Sequence, residues 1–175
     1  AMLFALAKNL VEGDREQRKG NYAIRNKGVA FELAEKTILV LGLGAIGRDV
    51  AALCRAIGMK VIGYDPFLTA DKIEALGCEP AADYRTALPR CDFVTVHVPL
   101  LDSTRDMIGE AEIATMKPTA MIVNCARGGI INEAALAAAL NEGRLAGAGI
   151  DCFENDPPAV DDPLLCAKNV IASPH

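Results

Sequence analysis

The chain has no tryptophan, three tyrosines, five phenylalanines and two histidines in its 175 residues. With aromatics at 5% and a hydrophobic fraction of 51%, its interior has to be built from Ala, Val, Ile and Leu, which suits an α/β protein. A surplus of positive charge is missing too. The formal net charge of −5 argues against nucleic acid or an anionic membrane as the main partner, and any anionic ligand must be held by local donors. The cysteines at 54, 78, 91, 125, 152 and 166 include no CxxC pair and no metal-ligand spacing. Most fall inside apolar strand or helix patterns, where a free thiol behaves as a small hydrophobe, and this usage points to a reducing, cytoplasmic setting. The apolar opening, residues 1–7, is too short to span a bilayer and no basic stretch precedes it, so it reads as part of a helix running towards Val11. Internal repeats and low-complexity tracts are absent as well. The length is that of one domain with a substantial core.

What is present centres on residues 37–57. Thr37-Ile38-Leu39-Val40-Leu41 reads as a buried strand. It runs into Gly42, Gly44 and Gly47, after which apolar residues at 46, 50, 53, 54 and 57 recur at helical spacing, predicting a helix from about Ala45. A strand, a GxGxxG turn and a helix in that order are the context a dinucleotide fingerprint requires. Gly42 permits the tight turn, Gly44 lets a pyrophosphate approach the backbone, and Gly47 lets helix and strand pack closely. The helix N-terminus adds unpaired N–H groups and a positive dipole end. A second strand, 60–64, ends in Asp65, which can accept hydrogen bonds from ribose hydroxyls and repel a 2′-phosphate. The following Pro66-Phe67-Leu68 brings no Arg or Lys to welcome that phosphate. The pattern predicts NAD rather than NADP.

Along the rest of the chain, residues 1–19 read as one helix with an apolar face at Leu3, Leu6, Ala7, Leu10 and Val11, and 20–36 as a polar connector. Strand and helix then alternate: a helix near 69–76, a short edge strand around 78–80, a helical turn at 83–88 and a strand at 92–97. A helix at 110–116, a strand at 120–124, an Ala-rich helix at 133–142 capped by Asn132 and followed by Gly143, a strand at 145–152 loosened by Gly147 and Gly149, a loop at 153–166 and a last strand at 170–172 complete the series. Such alternation predicts a doubly wound parallel sheet with helices on both faces, a Rossmann-type α/β fold. In such sheets ligands lie beyond the carboxyl ends of the strands. Those ends deliver Asp65, His97, the 124–129 turn, Asp151 and His175 to one rim.

These residues carry a family resemblance. Gly42-Leu43-Gly44-Ala45-Ile46-Gly47, Gly63-Tyr64-Asp65-Pro66, His97-Val98-Pro99-Leu100 with Thr104-Arg105, and Asn124-Cys125-Ala126-Arg127-Gly128-Gly129 resemble the NAD-binding domain of the D-isomer-specific 2-hydroxyacid dehydrogenases. Gly147-Ala148-Gly149-Ile150-Asp151-Cys152-Phe153-Glu154, Pro163-Leu164-Leu165, Asn169-Val170-Ile171 and Ser173-Pro174-His175 continue the match in order over almost the whole chain. The resemblance implies a catalytic set of Arg127, an acid and His175. Arg127 would grip the substrate's carboxylate and carbonyl, and His175 would exchange a proton with the substrate oxygen. The family's usual Glu falls on Asp156, one methylene shorter, with neighbouring Glu154 matching a different position. Taken without the motif, Arg127 reads as a capping or salt-bridging arginine, His175 as a solvated residue, and Asp156 as a loop acid fixing the turn before Pro157. Asp151 is similar to the residue that bonds the nicotinamide carboxamide, and His97 to a packed histidine beside the cofactor loop.

By the same resemblance the cofactor would lie along Gly42, Gly44, Ala45, Ile46, Gly47, Asp65, His97, Val98, Pro99, Thr104, Cys125, Ala126, Arg127, Asp151 and His175, with Arg48 near the pyrophosphate and no metal. It implies a small 2-hydroxy or 2-oxo acid substrate and a homodimer formed with help from the opening helix region. The division expected is an N-terminal helix and connector over 1–36 and a nucleotide-binding core over 37–175. Neither end reads as a natural tail, so a piece of a two-domain enzyme is expected, lacking its substrate domain and turning over little on its own. The alternative is an NAD-sensing, corepressor-like assembly module of the same fold. A domain for an adenosyl-methionine-type ligand is disfavoured by the complete fingerprint with Asp65 and by the Arg/His pair.

Overall fold

The computed structural model describes residues 1–27 and 30–175. Residues 28 and 29 of the expected connector lie outside them. Seven short strands form one sheet: β1 (Thr37–Leu41), β2 (Lys60–Tyr64), β3 (Glu79–Pro80), β4 (Phe93–Val96), β5 (Met121–Asn124), β6 (Gly147–Ile150) and β7 (Val170–Ala172). Their order is β3-β2-β1-β4-β5-β6-β7, and every pairing is parallel. Parallel neighbours need crossovers, and α3 (Ala45–Ala56), α4 (Ala70–Ala75), α5 (Tyr84–Ala87), α6 (Glu110–Thr115) and α7 (Glu133–Asn141) lie in them. The strand order reverses between β1 and β4, where chain segments leave in opposite directions and open a crevice above the sheet.

Side chains alternate across β1 and so feed two cores. Ile38 and Val40 join Ala51 and Cys54 of α3, Ile73 of α4 and Ala7 near the N-terminus. Leu39 and Leu41 join Ala87, Ile113, Leu136 and Leu140 on the other face. Both faces are therefore covered, and the strands have no polar face to show. Four cysteines, at 54, 78, 91 and 152, are buried. Burial pushes the Cys91 thiol up to about 12 and those of Cys54 and Cys152 up to about 11, so they remain protonated, as the hydrophobe reading expects. Cys125 and Cys166 are exposed.

Two expectations about helices need correction. The opening helix is two helices, α1 (Met2–Ala7) and α2 (Leu10–Arg18), broken at Asn9 in the left-handed region with φ 48°. That one residue redirects the chain. Leu6 and Ala7 are buried as expected, but Leu10 and Val11 are 62% and 44% exposed, and α2 buries no residue. A 3-10 helix, Tyr22–Lys27, follows within the connector. The second correction concerns α3. Its buried residues are Gly47, Ala51 and Cys54, while Ile46 and Leu53 are 70% and 66% exposed. A Cβ on Gly47 would meet the Gly42 carbonyl oxygen at 1.9 Å. The helix lies so close to the glycine turn that only small side chains fit underneath, so Ile46 and Leu53 point away, while Val50 and Ile57 pack partly against the core.

The glycines of β6 have a packing role of the same kind. A Cβ at Gly149 would meet Met2 Sδ at 2.9 Å, and one at Gly147 would meet Leu6 Cδ2 at 3.3 Å. α1 rests on this strand with its long side chains in the space the glycines leave.

Candidate active site

The crevice is built from the glycine turn upward. Gly42 has φ +90°, a conformation costly for any other residue, and a Cβ there would strike the His97 carbonyl at 2.8 Å. The end of β1 and the end of β4 are thereby pressed together. Gly44, in contrast, has no heavy atom within 4 Å of where its Cβ would stand, so its outer side is open. The turn is braced from two sides: Arg48 Nε donates to the Leu43 carbonyl at 2.7 Å, and the Leu43 N–H donates to Asp65 Oδ2 at 2.9 Å. Asp65 Oδ1 accepts from the Phe67 N–H at 2.9 Å. Each carboxylate oxygen keeps a further lone pair for an incoming hydroxyl.

His97 lies beneath this turn, its Cβ 3.5 Å from the position of a Gly47 Cβ, and Thr95 Oγ1 and His97 Nε2 share a 3.0 Å hydrogen bond. Burial holds its imidazole below the usual histidine range, which keeps it neutral at pH 7. It is the packed histidine expected. Val98 follows in the core and its Cγ1 would meet a Gly42 Cβ at 2.9 Å. Thr104 closes the next loop, accepting from the Leu101 N–H at 2.8 Å and donating to the Pro99 carbonyl at 2.6 Å.

Beyond β5 the chain turns around Asn124, with Thr95 one of the two buried polar residues among the described residues, at 3% exposure. Its amide donates to the Arg127 carbonyl at 2.8 Å and its oxygen accepts from the Ala126 N–H at 3.1 Å. The Asn124 side chain thus ties the turn together from inside, and Cys125 and Arg127 are presented on its exposed side. Arg127 has no carboxylate partner among the described residues; its Nη1 donates to the Ala126 carbonyl at 2.6 Å. The salt-bridging alternative has no partner here, while the bond to the Ala126 carbonyl is the local contact that the capping alternative expects.

Asp151 stands at the end of β6, its N–H bonded to the Asn124 carbonyl at 2.9 Å and its Oδ1 accepting from the Ser173 hydroxyl. His175 follows β7, and its Nδ1 lies 2.6 Å from Asp156 Oδ2. An ionised carboxylate can only accept, so Nδ1 carries the proton and Nε2 is left for chemistry. The shorter Asp side chain does reach the imidazole. Arg127, Asp151 and His175 follow three neighbouring strands, β5, β6 and β7, and so share one rim. Buried Cys152 marks their common ground. Besides burial, its thiol is acted on by Cys125, Asp151, Arg127 and Asp156. A groove of about 1010 Å³ elsewhere, lined by Leu6, Phe31, Met121 and Val170, opens at the opposite ends of the strands and takes no part.

A family model described as D-isomer specific 2-hydroxyacid dehydrogenase, NAD binding domain, matches residues 1–175. The chain belongs to this family. The D-3-phosphoglycerate dehydrogenase of Methanocaldococcus jannaschii is 44% identical over 174 residues, which is 99% of this chain and 33% of that protein. A putative D-3-phosphoglycerate dehydrogenase oxidoreductase from Ralstonia solanacearum has a similar structure, with a TM-score of 0.90 and 30% identity over 98% of this chain and 53% of that one. A D-lactate dehydrogenase with NAD+ from Lactobacillus jensenii matches with a TM-score of 0.83 and 33% identity, over 97% of this chain and 54% of that one. The chain therefore spans about a third of the curated relative's length and half of each solved chain.

For this 2-hydroxyacid dehydrogenase NAD-binding domain the cofactor is NAD, and the residues of the crevice fit it. The open side of Gly44 and the start of the twelve-residue α3 leave room and donors that suit a diphosphate, while Asp65 faces the same turn. Sequence reasoning missed Asn124, Thr95 and Ser173 as structural partners. Thr95 and Asn124 are polar residues within apolar strands, and that was the available signal. Ser173 gave none, since its link to Asp151 depends on the β6–β7 register.

Proposed function

We propose that the intact protein transfers a hydride between NAD(H) and a D-2-hydroxy acid or its 2-oxo partner. The observation that carries this reading is the His175–Asp156 pair at 2.6 Å on the same rim of the sheet as the exposed Arg127 and the glycine turn with its open side at Gly44. When bound, the nicotinamide supplies or accepts the hydride. Arg127 holds the substrate carboxylate and carbonyl bidentately, which fixes the reacting carbon. His175 Nε2 gives a proton to the carbonyl oxygen during reduction and removes it from the hydroxyl during oxidation. Asp156 holds Nδ1–H and so keeps Nε2 turned towards the substrate. Asp151, bonded by the Ser173 hydroxyl, accepts from the nicotinamide carboxamide in this reading. His97, Val98, Pro99, Thr104, Cys125 and Ala126 shape the wall beside it.

Asp65 supports NAD over NADP, because a 2′-phosphate would meet its carboxylate and find no cation in Pro66-Phe67-Leu68. In this reading 1–36 are an N-terminal helix and connector whose opening helix region helps to form a homodimer, 37–175 are the nucleotide-binding core, and a separate substrate domain completes the cleft. No helix among the described residues is long and apolar enough to cross a membrane, and the protein works in the cytoplasm on a small 2-hydroxy or 2-oxo acid. The test is NADH oxidation by the full-length protein with a panel of 2-oxo acids, among them glyoxylate, hydroxypyruvate, pyruvate and 3-phosphohydroxypyruvate. Turnover that disappears in Arg127→Ala and His175→Ala supports the reading. Tight NADH binding with no turnover on any member overturns it in favour of the assembly module.

A further inference from the structure

Asp156 sits on an exposed loop, yet it must stay within hydrogen-bond distance of His175. What holds that loop is found on its other side. The Glu154 N–H donates to Glu133 Oε1 at 2.6 Å, and the Glu154 carboxylate meets Arg105 Nη1 at 3.3 Å. Glu133 is the first residue of α7, behind the Asn132 cap, so its backbone is fixed by the helix. Arg105 follows β4, and its Nη1 lies 3.2 Å from where a Gly129 Cβ would stand, so the guanidinium covers the turn that carries Arg127. Three segments, those after β4, β5 and β6, are tied together at Glu154, two residues before Asp156.

We propose that Glu133 and Arg105 are positioning residues: they brace the 153–156 loop against the Arg127 turn and thereby hold Asp156 on His175. The inference rests on the proposed dehydrogenase reading. It assigns a role to a half-buried acid that the proton-transfer scheme leaves unused. Burial raises the Glu133 carboxyl above its usual range, the Glu154 N–H works against that, and the carboxylates of Asp162 and Glu154 push the same way as burial. A half-buried carboxylate whose one backbone donor is the Glu154 N–H is committed to that contact rather than to solvent. Neither Glu133 nor Arg105 touches the glycine turn or Asp65, so the brace acts on proton transfer and not on cofactor affinity.

A double-mutant cycle in the full-length protein tests this. Asp156→Asn is expected to lower kcat about 100-fold, the lower bound for losing acid–base assistance. Glu133→Ala is expected to lower kcat about tenfold, to leave the NADH Kd within about twofold, and to move the same limb of the pH–rate profile that Asp156→Asn moves. Because Glu133 acts through Asp156, the double variant should fall about 100-fold, not about 1000-fold. Glu133→Gln keeps an acceptor oxygen and should restore most of the loss. Additive losses, or an unchanged pH profile, overturn the brace while the dehydrogenase reading stands. If Glu133→Ala does not bind NADH, Arg105→Gln opens the other end of the brace, with an expected loss of about threefold that vanishes in the Asp156→Asn background. Additivity there overturns the proposal equally. A wild-type protein that turns over no 2-oxo acid removes the underlying reading, and the brace with it, before any variant is made.

Discussion

Gly128→Ala is a single methyl placed where the turn carrying Arg127 meets the loop leading to Asp156. A Cβ at residue 128 would lie 2.1 Å from both the carbonyl carbon and oxygen of Phe153 and 2.3 Å from the Glu154 nitrogen. These are backbone atoms and cannot swing aside. Ordinary contact begins at 3.4 Å, so the loops must separate by about 1.3 Å (3.4 − 2.1). The turn holding Arg127 and the loop holding Asp156 then drift apart by a distance that, for positioned catalytic groups, costs about 100-fold in rate. Overpacking of this kind also costs about 1–3 kcal/mol of stability. The glycine turn at Gly42–Gly47 is on different strands, so NADH should still bind with a Kd within about threefold, a difference of roughly 0.65 kcal/mol. Steady-state kinetics with the preferred 2-oxo acid, NADH fluorescence titration and a thermal melt on the full-length variant read all three quantities. Wild-type kcat in a folded Gly128→Ala protein would refute the argument that contact between these loops sets the catalytic geometry.

Other expectations concern single groups. Asp156→Asn should leave the melting temperature nearly unchanged, because the His175–Asp156 pair is about half exposed and exposed pairs contribute about 0–1 kcal/mol; a large thermal loss would contradict that. Asp65→Ser should weaken NADH far more than NADPH, narrowing the preference by about tenfold or more, and equal weakening of both would show that Asp65 serves only the turn. His97 titrates with a depressed value, so its contribution to stability is present above its unfolded value of about 6.5 and is lost as pH falls below it. The gap in melting temperature between wild type and His97→Asn should therefore shrink from pH 7 to pH 5, and a gap that widens would contradict the burial argument. The 175-residue chain alone should bind NADH by fluorescence titration yet show almost no turnover, because it spans only about a third to a half of the length of its relatives and, on the proposed reading, the substrate cleft needs the rest; robust turnover would contradict that.

The β1–glycine–α3 unit was legible because its signals are local: five aliphatic residues, three glycines at fixed spacing, and a helix-period run. The direction in which α3 faces was not. Periodicity marks the stripe at 46, 50, 53, 54 and 57; Cys54 is buried and Val50 and Ile57 pack partly against the core, but Ile46 and Leu53 face solvent while Gly47 and Ala51 are buried, since close approach at the turn outranks hydrophobicity. The break at Asn9 was equally hidden, because neither Gly nor Pro marks it and a single left-handed residue is enough. Of the site, Arg127, Asp156 and His175 could be named by resemblance, but the His175–Asp156 contact and the shared rim with Arg127 depend on parallel register and loop contacts. The Asp151–Ser173 and Glu133–Glu154–Arg105 links were invisible for the same reason. They join residues whose spacing in sequence carries no period.

The two glycines of β6 set the terms on which the N-terminal helix can change. Met2 and Leu6 occupy volume that a strand of valines would fill itself, so size on the helix and smallness on the strand are one trait divided between two places. A homologue that enlarges residue 149 has to shorten residue 2 or lift its helix off the sheet. Clipping the first turn would leave a trough along β6, and a Gly149→Val exchange offered together with Met2→Ala should be tolerated where either change alone is not.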